Sequence, residues 1–175
     1  MILLIPISPV DSSSFSSLIV PLSDAFSSIV EVVQSPPLDG SFAFNLSRNQ
    51  YNSTSILTAL LERFPGYEGK ILGVTAGDLF VPVLTYVFGE AQLDGKAAVV
   101  SSYRLHDEFY GLRADEKIFK ARLSKEAIHE LGHTFGLIHC SNYLCVMHSS
   151  TGVEEIDLKT ERLCDDCALK LGVVR

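Results

Sequence analysis

The sequence predicts an α/β domain built on a mostly parallel β-sheet with one antiparallel edge strand. In the first half of the chain, apolar β-branched segments alternate with helical segments, an order that is typical of parallel sheets. A short loop between the last two predicted strands favours a hairpin, which makes one of them antiparallel. The 175 residues are 47% hydrophobic and 20% charged, which indicates a globular chain long enough for one domain, residues 1–175.

The front of the chain predicts two strands and two helices. Residues 2–7 are apolar and predict a buried first strand, and residues 13–26 predict a helix that Pro21 kinks or breaks. Residues 28–33 are β-branched and predict a second strand. After a proline-rich turn, residues 52–64 predict a helix with a polar N-terminus and aliphatic side chains on one face.

The second half of the chain continues with strands and ends in helices. Strands are predicted at residues 70–75, 84–88 and 97–103, with the loop 89–95 between the last two. Two further helices are expected, at residues 116–135 and 158–171.

Charge and hydropathy exclude several classes of function. A formal net charge of −7 argues against a nucleic-acid-binding surface. No segment reaches the roughly 18 consecutive apolar residues of a membrane span. The apolar start lacks a basic region and is interrupted by Pro6 and Pro9, so we interpret it as a strand rather than a signal peptide. We therefore expect a cytoplasmic monomer that binds neither nucleic acid nor membrane.

The predicted helix 116–135 carries a histidine motif, and residues 129–139 (HELGHTFGLIH) fit HExxHxxGxxH at every fixed position. His129 and His133 are one turn apart, so both imidazoles can bind one metal ion. A continuing helix would carry His139 away from that ion, whereas a left-handed Gly136 would end the helix and turn the chain back. Three histidines leave a fourth position open, as in catalytic zinc sites.

Glu130 follows the first ligand directly and is the candidate catalytic residue. Its carboxylate would lie beside a zinc-bound water and act as general base. Zinc would lower the pKa of that water and polarise the scissile carbonyl. Isolated histidines are more often ordinary surface or core residues, but the complete motif favours a zinc-dependent peptidase.

The four cysteines lie close together near the end of the sequence, at Cys140, Cys145, Cys164 and Cys167. Two close pairs of thiols are typical of a closed, structural zinc site. A redox CxxC motif and two disulfides are the alternatives. A redox motif would leave the other two cysteines unexplained, so the sequence favours two zinc ions per chain, one catalytic and one structural.

The stretch HELGHTFGLIHCSNYLCVMHSS, with CDDC downstream, resembles the archaemetzincins, a metzincin family of zinc peptidases. Residues 84–105 resemble the family more weakly. The resemblance implies a compact, twisted sheet with the active-site helix below it and a methionine turn at Met147 under the zinc. It also implies that the antiparallel edge strand, placed within residues 84–88, binds the substrate as an added strand.

We therefore predict a peptidase that acts on peptides or unstructured polypeptides. Residues 1–138 would form the N-terminal part with the active-site helix, and residues 139–175 the C-terminal part, held by the cysteine-bound zinc. Two other functions stay open at this point: a catalytically silent binding module with the same fold, and a structural zinc protein with thiol redox activity.

Overall fold

The computed structural model describes residues 1–10, 13–34 and 36–172. The described residues form eight β-strands and five α-helices: β1 Ile2–Ile7, α1 Ser13–Phe26, β2 Val30–Val32, β3 Phe44–Asn45, β4 Gln50–Asn52, α2 Ser53–Arg63, β5 Lys70–Thr75, β6 Leu79–Phe80, β7 Gly89–Ala91, β8 Ala97–Ser101, α3 Glu116–Thr134, α4 Val153–Leu158 and α5 Asp165–Leu171. No described helix is both long and apolar enough to cross a membrane.

The main sheet has five strands in the order β2-β1-β5-β8-β7. Strand β1 pairs in parallel with β2 and β5, and β5 pairs in parallel with β8. Strand β7 pairs antiparallel with β8 and forms one edge. This topology confirms the predicted α/β fold with a mostly parallel sheet and one antiparallel edge strand.

Helices cover both faces of this sheet. Because side chains alternate along a strand, each central strand contributes to two apolar layers. Ile2 and Leu4 of β1 pack in a layer with α1 and α3, whereas Ile5 and Ile7 pack in the layer of α2. A kink or a break was predicted at Pro21; helix α1 is continuous through this residue, so the break does not occur.

The predicted strand at residues 84–88 is wrong, and the edge strand is β7, at residues 89–91. Residues 84–88 form a rim segment instead, because other groups take their backbone hydrogen bonds. The guanidinium of Arg48 donates to the carbonyls of Leu84 and Thr85 at 2.8 and 3.0 Å. The N–H of Val87 donates to Leu79 of β6, which belongs to a small second sheet, β3-β4-β6, that the sequence did not predict.

The single C-terminal helix predicted at residues 158–171 is also wrong, since α4 and α5 flank an extended segment. Backbone hydrogen bonds tie this segment to the preceding loop, from Thr160 to Leu144 at 3.0 Å and from Val146 to Arg162 at 2.9 Å. These contacts between distant parts of the chain compete successfully with the local helical pattern.

Helix α3 passes beneath the β7–β8 edge and is fixed at its N-terminus and within its second turn. Its N-cap, Asp115, accepts hydrogen bonds from two backbone N–H groups of the first turn. Arg122 is buried and forms ion pairs with Asp107 and Asp157, at 2.8 and 2.7 Å. The final turn of this fixed helix carries the histidine motif.

Candidate metal centre and active-site cleft

His129 and His133 lie on one face of α3, and their Nε2 atoms approach to 3.1 Å. The Nδ1 atom of His129 lies 2.9 Å from the carbonyl oxygen of Val146, and that of His133 lies 2.7 Å from the carbonyl oxygen of Leu137. A carbonyl oxygen can only accept, so each Nδ1 carries the proton and each Nε2 presents a lone pair. Burial lowers the pKa of both imidazoles, which favours the neutral form that binds metal.

After the end of α3, the chain turns back toward His129 and His133. Gly136 has a φ of 84°, and the N–H of Leu137 reaches the carbonyl of Gly132 at 3.1 Å, as in a Schellman motif. The ring of His139 thereby lies 5.2 Å from that of His129 and 5.0 Å from that of His133, between centroids.

The three histidines offer ligand atoms that all lie within 4.8 Å of one another. Ligand nitrogens of a tetrahedral zinc ion lie roughly 3.3 Å apart, since Zn–N bonds are about 2.0–2.1 Å long. The Nε2 separation of 3.1 Å between His129 and His133 is close to this value. The donor set and its spacing therefore fit zinc.

The last turn of α3 is held by groups from β5 and from the loop between β7 and β8. The ammonium of Lys70 donates to the carbonyl of Thr134 at 2.6 Å, and the backbone N–H of Asp94 donates to the carbonyl of His133 at 2.9 Å. A cation and an N–H group at the C-terminal end of a helix both satisfy its free carbonyls. These contacts fix the position of His133.

Glu130 is buried beneath β7. A Cβ at position 89 would lie 2.5 Å from Cγ of Glu130 and 2.6 Å from the carbonyl oxygen of Val99, so only glycine fits between strand and helix. Burial is the main cause that raises the pKa of the Glu130 carboxyl, and the neighbouring Glu126 carboxylate adds to it. Both effects make Glu130 a stronger base.

The four cysteines form a second group, about the C-terminal segment. All four thiols are free, and their sulfur atoms lie within 4.8 Å of one another. The sulfurs of Cys140 and Cys164 are 3.7 Å apart, whereas a disulfide bond is about 2.05 Å long. Sulfur ligands of tetrahedral zinc lie roughly 3.8 Å apart, given Zn–S bonds of about 2.3 Å, so this group also fits zinc.

Met147 lies in the turn that follows Cys145, which the N–H of His148 closes by donating to the carbonyl of Cys145 at 2.9 Å. Its side chain is fully buried, and its Sδ would lie 2.5 Å from a Cβ at Gly132 of α3. Its carbonyl oxygen accepts a hydrogen bond from the N–H of Cys140 at 2.9 Å. The next residue, His148, contacts the carbonyl oxygen of Cys140 through Nδ1 at 2.8 Å. These contacts hold Cys140, and with it the neighbouring His139.

Comparison with known proteins identifies the family. Residues 40–172 match the model of Peptidase family M54. An archaemetzincin from Methanocaldococcus jannaschii is 49% identical over 130 residues, which are 74% of this chain and 70% of the relative. This chain belongs to the archaemetzincins.

Solved structures agree with this assignment. The crystal structure of a zinc-dependent peptidase from Methanocorpusculum labreanum superposes with a TM-score of 0.86 at 33% identity, covering 98% of this chain and 100% of that one. An archaemetzincin from Archaeoglobus fulgidus superposes with a TM-score of 0.82 at 39% identity, covering 97% and 99%. The protein is therefore a metallopeptidase of a zinc-dependent family, a hydrolase of polypeptides.

Two cavities flank Glu130 in this archaemetzincin cleft. The first, of about 370 Å³, lies between the rim segment 84–88 and residues 149–151, and Glu126 also lines it. The second, of about 390 Å³, lies between β7 and Ile138. His129 and His139 border both cavities, so a peptide that crosses the metal centre would place side chains on either side of it.

The walls of the first cavity are joined at one point. The hydroxyl of Tyr86 donates to the carbonyl of Thr151 at 2.5 Å. The guanidinium of Arg104 lies 4.0 Å from the centre of the Tyr86 ring and is itself paired with Asp78. The rim is therefore braced against the body of the protein.

Sequence reasoning missed the buried ion pair behind the site. Lys159 is fully buried, and its Nζ lies 2.8 Å from Oε1 of Glu126. Nζ also donates to the carbonyl of His148 at 3.1 Å. Glu126 lies one helical turn before Glu130, and this spacing could have identified it as a neighbour of the site. No local pattern marks Lys159, because only the tertiary fold brings it to the helix.

Proposed function

We propose that this archaemetzincin hydrolyses peptide bonds at a zinc ion held by His129, His133 and His139, with Glu130 as general base. The observation that carries the proposal is that the Nε2 atoms of His129 and His133 lie 3.1 Å apart. The Nδ1 atom of each ring is held by a backbone carbonyl oxygen, so both Nε2 lone pairs stay available. Such hydrogen bonds orient metal-binding imidazoles and set their tautomer.

Glu130 moves the proton in this reaction. When bound, zinc supplies a Lewis acid that acidifies water and polarises the scissile carbonyl. The carboxylate of Glu130 accepts the proton of the attacking water and then delivers it to the leaving amine. Burial beneath Gly89 raises the pKa of the Glu130 carboxyl above its usual value, which makes the carboxylate a stronger base.

The substrate adds to the sheet at β7. This strand pairs with β8 on one side only, so its other edge can form backbone hydrogen bonds with an extended peptide. Glu130 lies directly beneath β7, and a peptide on this edge would pass over the histidine group.

A second zinc, held by Cys140, Cys145, Cys164 and Cys167, completes the proposal as a structural ion. The support is the set of four free thiols at the spacing of tetrahedral ligands. A cytoplasmic location, where thiols stay reduced, is part of the same proposal.

The test is digestion of a mixed peptide library by the zinc-loaded protein and by its Glu130→Gln variant. We expect the variant to retain its zinc and to lose about 10²-fold or more in turnover, the size of a general-base contribution. Glu116→Gln is the matched control, because this carboxylate lies at the exposed start of the same helix, where it pairs with Lys120 at 3.3 Å. Unchanged turnover in Glu130→Gln would remove Glu130 from the mechanism, and no turnover by wild type would favour a binding module.

A further inference from the structure

Three exposed aromatic side chains form one surface in the segment between β8 and α3. Tyr103, Phe109 and Tyr110 are 41%, 41% and 39% exposed. The ring of Phe109 lies 5.4 Å from that of Tyr103 and 5.0 Å from that of Tyr110, between centroids. Aromatic rings are enriched where proteins bind partners, and a cluster of exposed rings is typical of such a site. We call these three residues the aromatic surface.

The aromatic surface is continuous with the wall of the first cavity. Tyr86 lines this cavity. The guanidinium of Arg104 contacts both the ring of Tyr86 and the ring of Phe109, at 4.0 and 4.8 Å from their centres. Partial burial raises the pKa of Tyr110, and the neighbouring Tyr86 hydroxyl adds to this rise. A substrate chain that leaves the first cavity past Tyr86 therefore lies next to the aromatic surface.

Hydrogen bonds and ion pairs hold the aromatic surface in place before a substrate binds. Arg104 donates two hydrogen bonds to the carboxylate of Asp78, both at 2.7 Å. The carbonyl of Arg104 accepts a hydrogen bond from the Tyr110 hydroxyl at 2.9 Å. Asp107, in the same segment, pairs with the buried Arg122 of α3 at 2.8 Å. Because the surface is ordered in advance, binding loses little entropy there.

The charges around the rings favour an apolar occupant. Arg104, the cation that contacts the rings, is paired with Asp78, so it offers no free charge to an acidic segment. The rings bind apolar side chains by burial and by aromatic contacts. The net charge of −7 argues against nucleic acid. Since the adjoining cleft belongs to a metallopeptidase, continuity with it selects the polypeptide substrate as the occupant.

We propose that the aromatic surface binds an apolar segment of the polypeptide substrate, a few residues from the scissile bond on the side of the first cavity. This inference rests on the proposed function and extends its binding site. Tyr86 is three residues from Gly89 of β7, so their Cα atoms are at most about 11 Å apart. An extended substrate on the edge of β7 spans this distance with a few residues, whereas a short peptide ends before the aromatic surface.

The experiment compares short and extended peptides that share one cleavage site. Short peptides end about two residues from the scissile bond, and extended ones continue for about eight residues, or about 26 Å, on one side or the other. Each extension carries either Leu and Phe or Ser and Gly at the same positions. Cleavage by the zinc-loaded protein gives kcat/KM, and binding to zinc-loaded Glu130→Gln protein gives Kd. We expect the apolar extension to improve both about tenfold or more, on one side only.

Two substitutions test the aromatic surface through the gain from the extension, so that general effects on the rate cancel. Phe109→Ser should reduce the gain several-fold. Arg104 contacts Phe109, so Tyr103→Ser should leave the support of Tyr86 in place and still reduce the gain. Phe42→Ser is the matched control, because Phe42 is a 53% exposed aromatic residue in the turn before β3. This control should keep the full gain.

The outcomes are distinguishable from failure of the proposed function. Equal gains from polar extensions, equal gains on both sides, or a gain that both aromatic variants retain would overturn the inference and leave the peptidase intact. A second copy of this chain as occupant would raise the sedimenting mass with concentration in wild type but not in Phe109→Ser, without a peptide gain, and would also overturn it. Absence of cleavage would contradict the proposed function, and the Kd series would then decide on the aromatic surface alone.

Discussion

At the scale of single residues, Gly89 determines how closely β7, the proposed substrate-binding edge, approaches Glu130, the proposed general base. The Gly89→Ala variant would place a methyl group 2.5 Å from Cγ of Glu130 and 2.6 Å from the Val99 carbonyl. We expect a loss of stability of about 1–3 kcal/mol, as for other overpacked sites, and a clear loss of turnover. Thermal unfolding and peptide cleavage measure the two effects.

Gly66→Ala is the control for this substitution, because a Cβ at position 66 would meet no atom within 4 Å. The control should unfold and cleave like wild type. If Gly89→Ala also behaves like wild type, the strand can shift at little cost, and the close approach of β7 to Glu130 has no role in catalysis.

At the scale of elements, Arg122 anchors the catalytic helix to its surroundings. It is buried on α3 and pairs with Asp107, which is buried as well, and with Asp157 of α4. The Arg122→Met variant would leave Asp107 as a buried charge without its partner, which should cost about 3–5 kcal/mol. Denaturant unfolding at neutral pH measures the loss.

Lys120→Met on the same helix is the matched control. Lys120 pairs with Glu116 at 3.3 Å, with 47% and 72% of the side chains exposed. An exposed pair at i,i+4 contributes only about 0.3–0.5 kcal/mol. Equal effects of the two substitutions would show that burial of the Arg122 ion pairs does not anchor α3.

We expect the C-terminal segment to depend on its cysteines, because its helices are too short to be stable in isolation. Helices α4 and α5 have 6 and 7 residues, well below the roughly 12–15 residues that an isolated helix needs. We expect Cys164→Ser to lose one zinc and to lower the melting temperature strongly, since a structural zinc contributes directly to folding. Zinc analysis and circular dichroism follow both losses.

His133→Ala should lose the other zinc and all turnover while keeping a melting temperature near that of wild type. Its ring is only half-buried at the open cleft, so truncation removes little packing. A Cys164→Ser variant that melts like wild type would contradict a structural role of the cysteine site.

At the scale of the whole molecule, the two metal sites should differ in how readily they release zinc. The histidine group borders two cavities, and His139 is exposed, so a chelator can reach an open coordination position. The cysteine group surrounds its site with four sulfurs, two of them on buried residues. Brief treatment with a mild chelator should remove about one zinc per chain, abolish turnover and preserve the fold.

An organomercurial that binds thiols should then release the second zinc, together with helical signal in circular dichroism. Zinc content and spectra are measured after each step. Simultaneous loss of both ions, or loss of helical signal with the first, would contradict the division into an accessible and a closed site.

The sequence by itself determined the features whose cause is local. The period of α3, the one-turn spacing of His129 and His133, and the need for a glycine at 136 all follow from helix geometry. The alternation of apolar strands with helices was likewise enough to predict the parallel sheet. The cysteine spacing was enough to predict one group of four thiols, although the 3.7 Å distance between the sulfurs of Cys140 and Cys164 is visible only in the structure.

Only the tertiary structure decided the features that depend on distant partners. Residues 84–88 have the composition of a strand, but Arg48 binds the carbonyls of Leu84 and Thr85, and the segment forms the rim of the cleft instead. Lysine is usually a surface residue, yet Lys159 is fully buried against Glu126. Hydrogen bonds and ion pairs between distant residues outweigh the local propensity for helix or strand, which amounts to a few tenths of a kcal/mol per residue. The polar side chains that line the first cavity come from distant parts of the chain. No sequence pattern therefore predicts that the fold brings them together.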